Sequence, residues 1–122
     1  MKVSFLGFDG NQQKTAYQAE VHIQNGIFCF EDKTYPNTMI YLTKDTDRIL
    51  LERKGSCNMQ MCFILDKITE GHYQNQEGIE FNYFVKTKLL KIEKTKIRIS
   101  YEMIIEEEVV SIQSLQFSFF NS

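Results

Sequence analysis

Apolar and polar residues alternate with a period of two along most of this chain. That spacing admits strands with one buried face and little else. Between Thr15 and Gln24 the apolar positions are Tyr17, Ala19, Val21 and Ile23, and Gln18, Glu20 and His22 lie between them. Asn25-Gly26 follows at once, ahead of Ile27-Phe28-Cys29-Phe30. An Asn-Gly pair between two such runs signals a tight hairpin, because a type I′ turn needs positive φ at both central residues.

The rhythm continues through turns at Tyr35-Pro36-Asn37, Asp45-Thr46-Asp47, Gly55-Ser56, Asp66-Lys67 and Gln76-Glu77-Gly78. Strands are expected over residues 38–44, 48–54, 57–65, 68–74, 79–86 and 96–105. Residues 86–96 carry helix-tolerant Lys, Leu, Glu and Ile, yet they sit between strands at hairpin distance and are read as a strand. Glu106-Glu107-Glu108 reads as a solvated turn before a last strand over residues 109–120. There the apolar set passes from Val110 and Ile112 to Leu115, Phe117 and Phe119, which predicts a bulge near Ser114. The expectation is an all-β chain, one domain over residues 1–122, forming a single antiparallel barrel of about 8–10 strands with an apolar interior.

Composition supports this reading. The chain has 122 residues, 43% hydrophobic and 25% charged, with ten Phe, six Tyr and no Trp. Flat rings pack well on pleated surfaces, and a chain of this length closes one core without staples. The net charge of −2 gives no electrostatic drive toward nucleic acid or anionic membranes. No apolar run approaches the roughly 20 residues of a membrane helix, and the stretch Met1–Phe8 is too short for a signal peptide. Cys29, Cys57 and Cys62 are odd in number and follow no framework spacing, so reduced thiols in a cytoplasm are expected.

The segments Arg48-Ile-Leu-Leu-Glu-Arg53-Lys-Gly55 and Met61-Cys-Phe63 carry a resemblance, as do Thr87-Lys-Leu89 and Ile97-Arg-Ile99-Ser-Tyr101-Glu-Met103. Together they resemble the YwiB-like family of uncharacterised bacterial proteins. The resemblance spans most of the chain from Arg48 onward. It implies a calycin-like (lipocalin-like) β-barrel, and it brings no established activity or ligand with it.

Parity turns Arg53 toward the interior, where a guanidinium must find partners. It can bind an anion at the barrel mouth, or it can plug one barrel end against aromatic rings and backbone carbonyls. Ile79, Phe81, Tyr83 and Val85 form an inward set that Thr87 continues. With Tyr101, the hydroxyls of Tyr83 and Thr87 can orient a ligand or satisfy backbone groups at the rim. Arg53, Tyr83, Thr87 and Tyr101 are therefore the candidate ligand-binding residues. Cys57, Met59, Met61, Phe63 and Leu65 share one face, which reads as adaptable barrel lining rather than a Cu(I) site. His22 falls on a polar face, and His72 has no ligand-spaced neighbour. Asp45 and Asp47 and the run Glu106–Glu108 fall in turns. No nucleophile elbow or phosphate loop occurs, so no enzyme, catalytic residue, metal or cofactor is expected. The lysines from Lys86 to Lys96 are interrupted by Glu93 and read as a solvated face rather than a strand-binding groove.

Two functions follow as expectations. One is a barrel holding a small apolar or amphipathic molecule in an enclosed lumen cavity of a few hundred Å3. The other is an interaction module acting as a homodimer, suggested by Leu50, Phe84 and Phe120 on outward positions.

Overall fold

A computed structural model describes residues 1–11 and 13–121. Eleven antiparallel strands form one sheet: β1 Lys2–Phe8, β2 Lys14–Glu20, β3 His22–Gln24, β4 Ile27–Glu31, β5 Met39–Lys44, β6 Arg48–Lys54, β7 Cys57–Ile64, β8 Ile68–Asn75, β9 Glu80–Ile92, β10 Lys96–Ile105 and β11 Glu108–Phe120. Their order is β2-β1-β11-β10-β9-β8-β7-β6-β5-β4-β3. No helix occurs among the described residues.

β2 and β3 end the order on opposite sides, yet only Val21 separates them in the chain. The alternating run from Thr15 to Gln24 is thus one course of chain that changes partner at Val21. Its first part pairs with β1 and its last with β4. This rolls the sheet into a nearly closed barrel. Val21 is buried at the joint, and its N–H donates to the Met1 carbonyl at 2.9 Å.

The interior is filled by the expected parity set. Phe5, Phe30, Leu42, Leu51, Phe63, Ile99 and Phe117 are buried, with Ile40, Ile49, Met61, Val85 and Ile97 around them. The rings of Phe5 and Phe117 lie 5.3 Å apart, and those of Phe63 and Tyr101 lie 5.0 Å apart. The Asn25-Gly26 turn has positive φ at both residues (53° and 78°), as a type I′ hairpin requires. Glu106 and Glu107 adopt the same geometry, at 53° and 67°.

Several expectations are corrected. Residues 79–92 do not hold two strands: β9 runs unbroken to Ile92, and the turn falls at Glu93–Thr95. The register shift expected near Ser114 lies instead between Met103 and Ile104, where β11 carries the extra residue Val110. Parity then holds from Ser111 to Phe119, so Val110 and Ile112 face solvent. A second shift between Ser100 and Tyr101 leaves Lys88 extra in β9. Bulges of this kind add bend and twist, which long strands need to follow a barrel wall. Ile79 and Phe81 are exposed rather than buried, although the Phe81 ring still lies 5.0 Å from that of Tyr73 and 6.1 Å from that of Tyr83. Leu65 is exposed as well, in the turn after β7.

Thr87 is fully buried, and its hydroxyl has no hydrogen-bond partner among the described residues. An unmet buried hydroxyl costs free energy that a methyl group of similar shape does not. Thr87→Val is expected to leave the urea unfolding midpoint unchanged or to raise it, by up to about 1 kcal/mol of stability. A clear loss of stability would reveal a partner for this hydroxyl.

Candidate functional site

β4 and β5 are joined by a loop that folds across one barrel end. Asp32 continues the inward parity of Phe30 and is 1% exposed. Arg53 follows Leu51 into the same end, and its side chain is 14% exposed. Register brings them together, since Phe30 lies opposite Ile40 and Ile40 opposite Arg53. The Arg53 Nε–H donates to Asp32 Oδ2 at 2.9 Å. Nη1 donates to the Met59 sulfur at 3.4 Å. The other Asp32 oxygen accepts the Thr34 N–H at 3.0 Å and the Tyr17 hydroxyl at 3.4 Å. The guanidinium carbon sits 5.7 Å from the centre of the Tyr35 ring.

The loop is held down from below. Thr38 is buried, and its hydroxyl lies 2.9 Å from that of Ser56 and 3.0 Å from the Pro36 carbonyl. Gly55 has φ +149°, and a Cβ there would strike the Asn37 carbonyl, so only glycine allows so close an approach.

Beside this cluster an open-ended cavity of about 320 Å3 enters the barrel. Arg53, Met59, Cys57, Tyr101 and Leu115 line its inner part, and Gln13, Lys14, Thr15, Thr34 and Tyr35 line its mouth. The Tyr101 hydroxyl donates to Gln113 Oε1 at 3.0 Å, and the Gln113 amide donates in turn to the Ser111 hydroxyl at 3.1 Å. Arg53 and Tyr101, two of the four candidate ligand residues, meet at this cavity. Tyr83 and Thr87 do not line it. Tyr83 donates to the Gln60 carbonyl at 3.2 Å, with its ring laid over Gly71, where a Cβ would collide with it.

Phe, Leu and Ile side chains are buried in the middle of the barrel, and the cavity at its end is not the enclosed apolar lumen expected from the sequence. The space lies at one end and has a mixed polar and apolar wall. Asp32 is the site residue that sequence reading missed. Its shared parity with Phe30 was the available signal.

Burial sets the protonation chemistry. It pushes the Tyr101 phenol up to about 12. It also raises Tyr17 and Tyr83, with the Asp32 carboxylate adding to the rise at Tyr17. Burial raises the Cys57 thiol too, more than nearby Arg53 lowers it, so Cys57 lacks the stabilised thiolate of a reactive cysteine. His72 stands apart on the outer surface, 2.7 Å from Asn82 Oδ1 and 3.1 Å from Glu80 Oε1. His22 is exposed. No group of three or more His, Cys, Asp or Glu side chains suited to a metal ion occurs among the described residues.

The fold and its end cavity define a calycin-like barrel with a filled interior and a polar cluster at one end. The chain belongs to the family described as "Domain of unknown function (DUF1934)", whose sequence model matches residues 9–117. Among solved structures it is similar to the crystal structure of ywiB protein from Bacillus subtilis, with a TM-score of 0.67 at 14% identity. That match covers 98% of this chain and 91% of the other. Curated proteins give no match. The likeness at this identity shows the shared fold.

Two outcomes check this picture. Asp32→Ala leaves the largely buried Arg53 charge without its carboxylate and is expected to cost about 3 kcal/mol in urea unfolding. Arg53→Met with Asp32→Leu, which removes both charges, is expected to cost less than the single change. On alkaline titration the unfolded tyrosines ionise near 10, while Tyr101 holds its proton to about 12. The folded state therefore binds more protons across that window, and stability falls as pH rises through it. Thermal unfolding measured at successive pH values would show this decline beginning near the ordinary tyrosine value.

Proposed function

We propose that this chain is a binding protein whose end cavity takes a small, neutral, amphipathic molecule. The observation that carries the reading is the state of Arg53. A guanidinium has five N–H donors in a planar fork. Asp32 and Met59 take two of them, and no other acceptor for Arg53 occurs among the described residues. The fork lies on the wall of the cavity, ready for a ligand oxygen. Asp32 already balances its charge, and Lys14 and Asp9 balance at the mouth. A carbonyl or hydroxyl head therefore suits the site better than a full anion, which would compete with Asp32 for the same cation. Phe5, Met59, Tyr73 and Leu115 offer an apolar wall to the body of such a molecule. The mixed wall, with polar groups at the mouth and apolar side chains beside Arg53, suits a molecule with a polar head and an apolar body.

The test uses acetanilide, a neutral aromatic amide, with benzoate as the anionic comparison, and saturation-transfer NMR as the readout. Acetanilide is expected to bind more tightly than benzoate. Arg53→Lys, which keeps the charge and loses the fork, is expected to weaken acetanilide by about tenfold. No transfer to acetanilide, or transfer unchanged in Arg53→Lys, would remove the proposal.

A further inference from the structure

We infer that the outer wall of the barrel carries a second binding site, for a phosphate monoester, centred on Arg98 and separate from the end cavity. The inference starts from a like-charge pair. Arg98 in β10 lies directly opposite Lys91 in β9. Both are exposed, and the flanking Ile97 and Ile99 are buried, so Arg98 stands on the outer face. Like charges directly opposite destabilise an antiparallel pair. Among the described residues neither Arg98 nor Lys91 makes an ion pair that would offset this. Glu102, further along β10, is already taken by Lys88 at 3.4 Å. Glu93 stands in the β9–β10 turn.

Beside this pair the outer wall is dented. Across four strands, Leu89, Ser100, Ser114 and Phe8 form one row, and Lys91, Arg98, Gln116 and Leu6 form the next. The small serines occupy the middle of the first row, and larger side chains stand at its ends. The result is a hollow of about 180 Å3, and no acidic residue lines it. The Ser100 and Ser114 hydroxyls lie 2.9 Å apart. One of their two O–H groups is spent on the other, and one remains to donate. Gln116 adds two N–H donors and Arg98 five. Donors from β10 and β11 thus line one hollow with no negative charge among them.

This set of groups selects the ligand. Two neighbouring cations and several neutral donors call for a compact anion of more than one charge. A phosphate monoester carries about −1.5 to −2 charges at pH 7 and three acceptor oxygens, whereas a carboxylate carries one charge and two. Leu6, Phe8 and Leu89 complete the hollow with apolar surface, against which the organic stem of the ester can lie. Glu93 and Glu102 break the basic run on either side, so the field is local and suits a small anion rather than a nucleic-acid strand. Only Phe8 and Leu115 are shared with the end cavity, and Arg53 is not part of this site.

The experiment is a nitrogen–proton correlation NMR titration of the full chain with phenyl phosphate, with benzoate as the singly charged comparison. The amides of Arg98, Ser100, Ser114 and Gln116 are expected to shift and saturate. Phenyl phosphate is expected to bind about tenfold more tightly than benzoate, and added salt to weaken it. Arg98→Gln is expected to weaken phenyl phosphate by about tenfold and Lys91→Gln by about threefold. Each variant removes a like-charge contact on the exposed face, so each is expected to unfold at a temperature no lower than the parent. The absence of a saturable shift overturns the inference. So do shifts confined to Thr34, Tyr35 and Arg53 at the end cavity, shifts indifferent to both substitutions, or benzoate binding as tightly as phenyl phosphate.

Discussion

A sheet becomes a barrel only when its two edges are brought together. Here that duty falls to the run from Lys14 to Gln24, with Val21 as its joint. On one side of the joint the chain bonds β1, and on the other β4, so the barrel is sealed where His22 faces Cys29 and Gln24 faces Ile27. If that register continued, Gln18 would meet Lys33 and Ala16 would meet Tyr35. The chain turns away at Asp32 instead, and a wedge opens between β2 and the β4–β5 loop. Its two walls carry Gln13, Lys14 and Thr15 on one side and Thr34 and Tyr35 on the other, which are the residues at the mouth of the cavity. The cavity is therefore a consequence of incomplete closure, not a hollow left inside the barrel.

A wedge in a small barrel exposes its core unless something seals the floor. The Asp32–Arg53 pair does this with polar groups. Each ion loses hydration on burial, and their attraction offsets that loss only where the remaining donors and acceptors are met. The Asp32 oxygens are met by Arg53, Thr34 and Tyr17. The guanidinium is met less fully, by one strong bond, one sulfur and the face of the Tyr35 ring. This asymmetry separates the two ions: Asp32 anchors the loop, and Arg53 keeps N–H donors that no acceptor among the described residues takes.

The period-two spacing made the barrel, most of its strands and its inner wall legible, because parity within a strand depends on neighbours alone. Arg53 was legible as an inward charge for the same reason, and its partner was not singled out. Asp32 lies past the end of β4 in a segment read simply as connection, and only pairing through β5 sets it beside Arg53. The bulges at Val110 and Lys88 were misplaced or unseen, since bulges answer to barrel curvature, a property of the closed sheet. The break at Val21 was invisible for a related reason. Alternation passes through it undisturbed, and only the change of partner marks it. An enclosed lumen was expected from the family resemblance, the Phe-rich inward faces and the inward Arg53, Tyr83, Thr87 and Tyr101, yet whether those faces leave a hollow depends on how side chains from opposite walls meet, which parity does not give.

The packed interior has a use. A binding group is effective when its position is fixed before the ligand arrives. Phe63 packs on the Tyr101 ring from within, and Gln113 and Ser111 hold the Tyr101 hydroxyl from the side. Arg53 is braced by Asp32, which the loop fixes through Thr34, while Gly55 lets that loop settle close to the barrel. The solid half of the barrel thus acts as a foundation for the open half. Widening the interior to admit a larger molecule would remove the packing that aims these groups. The distribution of Phe in this chain thus ties the open end of the barrel to its packed half.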